Sequence, residues 1–133
     1  MYTVTQSVAF CYGHRLLHYR GKCCHLHGHN ARAVITLEGE ALDERGMLCD
    51  FNDIKALVKD WIDRELDHNM LLHHDDPVLP MLQAAGERVY VMDANPTAEN
   101  IARMIFEYAR DQGFPVREVM IWETETANAS YRP

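Results

Sequence analysis

Residues 21–40, GKCCHLHGHNARAVITLEGE, join a histidine-rich motif to a stretch in which apolar and polar side chains alternate. The alternation and its β-branched centre predict a β-strand over residues 27–40 that begins at the motif. In a strand, His27 and His29 point to the same face, about 6–7 Å apart at their Cα atoms, so both imidazoles can bind one metal ion. A third ligand from elsewhere in the chain would complete a zinc-type site.

A third histidine lies just after another alternating stretch. The pattern over residues 2–10 predicts the first strand, and His14 follows it in the segment CYGHRL. If the two strands are neighbours, His14, His27 and His29 can converge on one ion and leave a fourth tetrahedral position open, as catalytic zinc sites do. Paired histidines also occur in proteins that bind no metal, so the pair alone leaves both interpretations open.

Two long helices are predicted in the rest of the chain. The first covers residues 53–66, where apolar side chains recur at helical spacing, and either Asp50 or Asn52 is its N-cap. The second begins after Thr97, the expected N-cap, and ends before Gly113. Apolar stripes of this kind are typical of helices that pack on a sheet.

Short segments complete the predicted elements. We expect short strands at residues 47–49, 88–93 and 116–122, a last strand ending at Tyr131, and a short helix within 77–86. Pairs of strands, each followed by a helix, predict an α+β domain over residues 1–133, with an antiparallel, four-stranded sheet and both long helices on one face. Because such a sheet has two free edges, closure of a barrel by oligomerisation is expected.

The overall composition excludes several classes of protein. The 133 residues are 47% hydrophobic and 25% charged, as in a single globular domain. A net charge of −7 argues against binding of nucleic acid, which requires a basic surface. No apolar run approaches the roughly 20 residues that span a bilayer, and the N-terminal residues resemble neither a secretory signal nor a transit peptide. We therefore expect a cytoplasmic protein with reduced cysteines.

Cys23 is a candidate catalytic thiol. It lies four residues before His27 and next to Lys22, whose charge favours the thiolate. The alternative interpretation is that Cys23 and Cys24 are ordinary small residues of a loop.

Carboxylates are the other candidates for chemistry. Asp67 could orient the imidazole of His68 for proton transfer, although adjacent residues at a helix end more often act separately in solvent. Glu123 follows an apolar strand, where a buried carboxylate needs a partner. That partner could be the N–H-rich edge of a ligand or an arginine, since each can donate two parallel hydrogen bonds.

Six ordered motifs resemble one known enzyme family, the 6-pyruvoyl-tetrahydropterin and 6-carboxy-tetrahydropterin synthases. They cover nearly the whole chain: FCYGHRL, GKC four residues before HGHN, GMLCDF, LDH, PTAEN, and WET with Tyr131 shortly after. Six motifs in one order and spacing are far less expected by chance than any one of them.

The resemblance implies a fold, an assembly and a set of site residues. It implies a T-fold whose subunits form trimeric barrels that stack head to head as a homohexamer, with active sites at subunit interfaces. By position it implies one zinc ion per subunit, a catalytic group, a glutamate that anchors the amino-pyrimidine edge of a pterin, and a structural helix start. The implied zinc ligands are His14, His27 and His29, and the implied catalytic group is Cys23, Asp67 and His68. Glu123 is the implied pterin anchor, and Thr97 with Glu99 forms the implied helix start.

The implied substrate is 7,8-dihydroneopterin triphosphate. The short spacing from His14 to Cys23 resembles the branch that makes 6-carboxy-5,6,7,8-tetrahydropterin and releases acetaldehyde and triphosphate, on the way to 7-deazaguanine compounds such as queuosine. The alternatives are the pyruvoyl branch, which only eliminates triphosphate, a pterin aldolase or epimerase, and a non-catalytic zinc or pterin binder. Two positions depart from the family pattern: Leu72 replaces an asparagine and Ala31 an aromatic residue. Both are expected near the pocket, where they would affect side-chain specificity.

Overall fold

The computed structural model describes residues 1–133, which form one six-stranded sheet with helices against one of its faces. The order across the sheet is β4-β3-β1-β2-β5-β6. β2 pairs antiparallel with β1 and β5, β5 pairs antiparallel with β6, and β3 runs parallel to both β1 and β4. The strands are β1 (Tyr2–His14), β2 (His27–Gly39), β3 (Asn69–His73), β4 (Val89–Met92), β5 (Val116–Trp122) and β6 (Asn128–Tyr131).

The prediction of a four-stranded, antiparallel sheet was wrong, because the sheet has six strands and is mixed. β3 escaped prediction: it is a short segment of five residues that joins the sheet through parallel pairing, where the alternating pattern is lost. The strand expected at 47–49 does not form. Met47 instead closes a turn in which its carbonyl accepts a hydrogen bond from the Asp43 N–H at 2.9 Å, and the Leu48 side chain packs on the core.

The two long helices form close to their predicted positions. α1 consists of three contiguous segments, Phe51–Ile54, a π-helical stretch Lys55–Lys59, and Asp60–Glu65. Asp50 is its N-cap, since its carboxylate accepts a hydrogen bond from the Asn52 N–H at 2.8 Å. A short α2 covers Leu79–Ala84.

The second long helix, α3, covers Ala98–Asp111. Thr97 is the N-cap, and its hydroxyl accepts from the Asn100 N–H at 3.2 Å. Gly113 follows the helix with a φ of 95°, the left-handed conformation that glycine adopts without strain. None of the helices has the length and apolar character needed to cross a membrane.

One continuous core of 21 buried residues lies between the sheet and both long helices. β1 contributes Val8, Phe10 and Tyr12, and β2 contributes every second residue from Ala31 to Leu37. The predicted α+β architecture with both long helices on one face is therefore confirmed. Because side chains alternate along a strand, the same face continues to the end of β1 and the start of β2, where the histidines lie.

Candidate active site at the end of strands β1 and β2

Three histidines meet at one end of the sheet. His14 ends β1 and lies opposite His27, the first residue of β2, while His29 lies opposite Tyr12. The ring centroids are 4.5 Å apart for His14 and His27, 5.1 Å for His14 and His29, and 5.0 Å for His27 and His29. The structure thus brings the three expected ligands together.

The free ring nitrogens of these histidines suit a metal ion. Nδ1–H of His14 donates to the Pro96 carbonyl at 2.7 Å, and Nδ1–H of His27 donates to the His25 carbonyl at 2.7 Å. These bonds fix the tautomers in which Nε2 carries the lone pair. All three Nε2 atoms are buried without a hydrogen-bond partner, and the three potential ligand atoms lie within 4.8 Å of one another. Unpaired buried nitrogens are unfavourable unless a ligand satisfies them, and three imidazoles fit a zinc ion with one open position.

Burial favours the neutral imidazoles. Desolvation lowers the pKa of His14 below the ordinary value for histidine, and the hydrogen bond to Pro96 only partly opposes this effect. Desolvation also lowers the pKa of His29, against the opposing effect of the Glu123 charge. Since metal ions bind the neutral imidazole, both rings have the protonation state that coordination needs.

Glu123 lies beside the histidines, directly after β5. Its Oε1 is 3.5 Å from His29 Nε2 without forming a hydrogen bond, and its Oε2 accepts a hydrogen bond from the Tyr12 hydroxyl at 3.3 Å. No arginine or lysine forms an ion pair with this carboxylate, and 25% of the Glu123 side chain is exposed. The arginine alternative is therefore absent, and the carboxylate has lone pairs free for a ligand.

A cleft of about 230 Å³ opens beside the histidine cluster. His14, Cys23 and Glu123 line it together with Thr97 and Glu99 from the start of α3. Cys23 reaches the cleft whereas its neighbour Cys24 does not, which favours Cys23 as the thiol of the site. The other lining residues are Leu16, Ala98, Ala127, Asn128 and Ala129.

Backbone hydrogen bonds hold the loop that carries Cys23. Cys23 lies in a 3₁₀ turn, Lys22–Cys24, and its carbonyl accepts from the Leu16 N–H at 2.9 Å. Asn95 clamps the next residue twice: its Oδ1 accepts from the Leu17 N–H at 2.9 Å, and its Nδ2 donates to the Leu17 carbonyl at 2.8 Å. The thiol is thereby placed against the segment that starts α3.

A buried ion pair fixes the other side of this loop. Arg15 donates two hydrogen bonds to the Asp76 carboxylate, one of them from Nε to Oδ2 at 2.7 Å. Asp76 Oδ1 also accepts from the Val78 N–H at 2.9 Å, and the Asp76 side chain is 0% exposed. Burial acts to raise the pKa of Asp76, but the hydrogen bonds from Arg15 and Val78 outweigh it and hold the pKa below the ordinary value.

Asp67 and His68 form a second cluster with Cys11. The Asp67 carboxylate accepts from the Cys11 N–H at 2.8 Å and from His68 Nδ1 at 2.7 Å, and the His68 N–H donates to the Cys11 carbonyl at 2.7 Å. His68 has a φ of 59°, a left-handed conformation that these bonds stabilise. Burial acts to raise the pKa of Asp67, but the hydrogen bonds from Cys11 and His68 prevail and lower it. The carboxylate does orient the imidazole.

This second cluster does not share the cleft with Cys23. Alternation along β1 directs the Cys11 side chain to the face opposite His14, and neither Asp67 nor His68 lines the cleft. The His68 side chain is 69% exposed. Within one chain, the structure therefore unites His14, Cys23 and Glu123 but leaves the Asp67–His68 pair apart from them.

Comparison with known proteins identifies the family. The family model of 6-pyruvoyl tetrahydropterin synthase matches residues 3–133. The chain belongs to this family. Its relatives include the 6-carboxy-5,6,7,8-tetrahydropterin synthase of Rickettsia typhi, which is 39% identical over 132 residues that cover 94% of this chain and 96% of that protein. A protein of the same name from Haemophilus influenzae is 27% identical and matches over 99% of both chains.

Solved structures share the fold of this chain. An uncharacterized protein from Wolinella succinogenes matches 98% of this chain and 97% of its own with a TM-score of 0.81 and 25% identity. The 6-pyruvoyl tetrahydropterin synthase of Caenorhabditis elegans matches 99% of this chain and 95% of its own, with a TM-score of 0.74 and 23% identity, and indicates the fold alone. The family resemblance of the six motifs and the α+β T-fold are confirmed.

The two departures from the synthase pattern do not line the cleft. Leu72 is fully buried in β3, and Ala31 is buried in the core on β2. Ala31 nevertheless lies on the same face of β2 as His29, two residues away, and the expectation that both residues lie near the pocket stays a prediction. Tyr12 and Asn95 are site residues that sequence reasoning missed. Tyr12 lies beyond the predicted end of the first strand, and Asn95 lies before the N-cap of the second long helix, so no local pattern marked either residue.

Proposed function

We propose that this protein is a zinc-dependent lyase, a 6-carboxytetrahydropterin synthase. It converts 7,8-dihydroneopterin triphosphate and water to 6-carboxy-5,6,7,8-tetrahydropterin, acetaldehyde and triphosphate, a step towards 7-deazaguanine compounds such as queuosine. The main support is that the buried Nε2 atoms of three histidines lie together without hydrogen-bond partners, beside a cleft lined by His14, the Cys23 thiol and the Glu123 carboxylate. The family match over residues 3–133 and the names of the relatives agree with this proposal, in which the whole chain is a single synthase domain.

The histidines are proposed to hold one zinc ion per subunit through Nε2 of His14, His27 and His29. When bound, zinc would polarise the side-chain oxygens of the substrate and acidify the adjacent C–H group. Two of the rings are already held in place, because Nδ1–H of His14 donates to the Pro96 carbonyl and Nδ1–H of His27 donates to the His25 carbonyl. The rings therefore need little reorganisation when a ligand arrives.

The other cleft residues are proposed to bind substrate and move protons. Glu123 accepts hydrogen bonds from the N–H-rich edge of the pterin, since a carboxylate matches two adjacent donors. The Cys23 thiolate takes the proton from the side-chain carbon, and His68, oriented by Asp67, carries protons onward.

A second copy of the chain is proposed to complete the site. Asp67 and His68 lie outside the cleft that holds Cys23, and His68 is largely exposed. The sheet also ends in two edge strands, β4 and β6, that pair with no further strand. Trimeric barrels stacked as a homohexamer would use these edges and bring His68 of one copy to Cys23 of another. We propose a cytoplasmic location for this assembly.

Product analysis of the purified protein tests the proposed reaction. Zinc-loaded protein is incubated with 7,8-dihydroneopterin triphosphate, and acetaldehyde, triphosphate and the pterin product are measured. We expect acetaldehyde and 6-carboxy-5,6,7,8-tetrahydropterin in equal amounts. Triphosphate without acetaldehyde would instead indicate the pyruvoyl branch, and an absence of turnover in zinc-replete protein would indicate a binding protein.

A further inference from the structure

Tyr12 is a buried residue that contacts both Glu123 and the histidine cluster. Its side chain is only 2% exposed, and its hydroxyl donates to Glu123 Oε2 at 3.3 Å. Its ring centroid lies 5.1 Å from that of His14 and 5.8 Å from that of His29. None of the roles proposed above uses this phenol.

We propose that Tyr12 is a positioning residue that sets the orientation of the Glu123 carboxylate for pterin binding. This inference rests on the proposed function, because it assumes that Glu123 receives the amino-pyrimidine edge. It adds a residue that does not touch the ligand but determines how tightly the ligand is held.

The contacts of Glu123 make this role specific. The Tyr12 hydroxyl is the only hydrogen-bond donor to the carboxylate, since the contact with His29 at 3.5 Å is not a hydrogen bond. Glu123 comes directly after the last residue of β5, and a quarter of its side chain is exposed, so packing alone does not fix the carboxylate. Each carboxylate oxygen has two lone-pair directions, so one bond to Tyr12 leaves acceptor sites for two ligand N–H groups.

Neighbouring side chains hold the phenol in place. Phe10, two residues earlier on β1, stacks on the Tyr12 ring with centroids 5.5 Å apart and an interplanar angle of 25°. Ala31 lies diagonally across from Tyr12 on β2 and is 4% exposed. Diagonal neighbours on paired strands are within reach of large side chains, so a small residue at position 31 leaves room for the ring. A rigid ring gives its hydroxyl a fixed position from which to hold Glu123.

A purely structural role is the competing explanation, because a buried tyrosine hydroxyl usually needs some partner. The two explanations differ in how the effects of substitutions combine. If Tyr12 acts through Glu123, removal of its hydroxyl matters for ligand binding only while the Glu123 carboxylate is present. If Tyr12 only supports the core, its effect is the same with and without that carboxylate.

A double-mutant cycle tests the inference with Tyr12→Phe, Glu123→Ala and the double variant, all loaded with zinc; alanine removes every acceptor for the Tyr12 hydroxyl at position 123. The probe is 7,8-dihydroneopterin, whose dissociation constant is measured by calorimetry. Tyr108→Phe is the matched control, since it also removes a hydroxyl, which donates to the Leu57 carbonyl at 3.3 Å on the far side of the core. Zinc content and thermal midpoint are recorded for every variant.

We expect Tyr12→Phe to weaken binding about tenfold, the effect of losing a hydrogen bond to a charged group, and to change zinc content no more than Tyr108→Phe does. In turnover, most of the loss should appear in KM rather than kcat. In the Glu123→Ala background the same substitution should weaken binding less than about twofold. Equal losses in both backgrounds, or no loss in either, would overturn the positioning role. Unchanged binding by Glu123→Ala alone would overturn the anchoring role of Glu123 and with it the positioning role of Tyr12, whereas the product analysis decides the proposed reaction separately.

Discussion

The histidine cluster and the Cys11–Asp67–His68 cluster differ in how completely one chain builds them. The histidine cluster lies at the ends of two paired strands, and its three Nε2 atoms are buried. The Cys11–Asp67–His68 cluster lies between β1 and the residues after α1, and its imidazole is 69% exposed. Backbone groups hold both clusters: the Pro96 carbonyl accepts from His14 Nδ1–H, and the Cys11 N–H donates to Asp67.

This difference shows which task each cluster can perform alone. A metal ion needs several ligands in a fixed geometry, and paired strands provide it within one chain. A proton relay must meet a substrate, yet nothing in the same chain covers His68. The first cluster is complete, whereas the second is oriented and still needs a surface opposite it. The predictions below test this contrast.

The largest effect is expected for the thiol that lines the cleft. Cys23→Ala should lower the rate of acetaldehyde formation by about 10³-fold or more, because the proton-transfer group is lost, while zinc content stays the same. Cys24→Ala is the matched control and should keep the rate within about twofold, since it does not line the cleft. If Cys24→Ala is the inactivating change, the thiol has been assigned to the wrong residue.

Loss of a strand-borne imidazole should remove the metal. His27→Ala is expected to reduce zinc from about one ion per chain to nearly none after dialysis, as two ligands cannot retain a catalytic zinc ion. His25→Ala is the control, because only the carbonyl of His25 contacts His27. Elemental analysis gives the zinc content, and circular dichroism checks the fold. Full zinc occupancy in His27→Ala would contradict the ligand assignment.

Mixing two inactive variants tests whether the second cluster works across a subunit interface. Cys23→Ala and His68→Ala should each be inactive alone, but oligomers formed from equal amounts should regain about one quarter of the wild-type rate. That fraction follows because about one interface in four then pairs an intact Cys23 with an intact His68. Native mass spectrometry verifies that mixed oligomers form. Mixed oligomers without activity would mean that each site draws both residues from one chain.

The smallest effect concerns the support of the cysteine loop. Asp76→Asn should lower the free energy of unfolding at pH 7 by about 2–3 kcal/mol, because the Arg15 guanidinium loses its charged partner. The pKa of Asp76 is lowered in the folded state, so its contribution is present above the unfolded pKa of about 4 and disappears as pH falls through the folded value.

Urea unfolding of wild type and Asp76→Asn at several pH values measures this difference. It should be largest at neutral pH and shrink below about pH 4. Asp75→Asn, a change at the exposed neighbour, should alter stability by less than about 0.5 kcal/mol. Similar losses in both variants would show that the buried ion pair is not the source.

Much of the fold could be predicted because its central strands alternate clearly. β1 and β2 have one buried face and one exposed face, and alternation revealed both strands and the shared direction of His27 and His29. N-cap residues predicted the starts of the two long helices, and Asp50 and Thr97 cap them as expected. Alternation and helix caps depend only on residues that are close together in the chain, so a single sequence is enough to recognise them.

Features that depend on distant pairing were not predictable. β3 is buried on both sides between two parallel partners, so its residues show no alternation. The Arg15–Asp76 pair and the Asn95 clamp join residues that are 61 and 78 positions apart. The contact of Tyr12 with Glu123 spans 111 positions and follows only from the register of the sheet.

The hydrogen bonds that hold the Cys23 loop also indicate where this enzyme can tolerate insertions. The Asn95 side chain forms hydrogen bonds with the N–H and the carbonyl of Leu17, and the Leu16 N–H donates to the Cys23 carbonyl. These bonds fix both ends of the loop without involving the residues at its tip. The four residues 18–21 between them are exposed. Insertions there leave the thiol where it is, because loop length adds little entropy once the ends are closed. The tip is therefore the place at which a reporter tag or an extra substrate contact can be added with least damage.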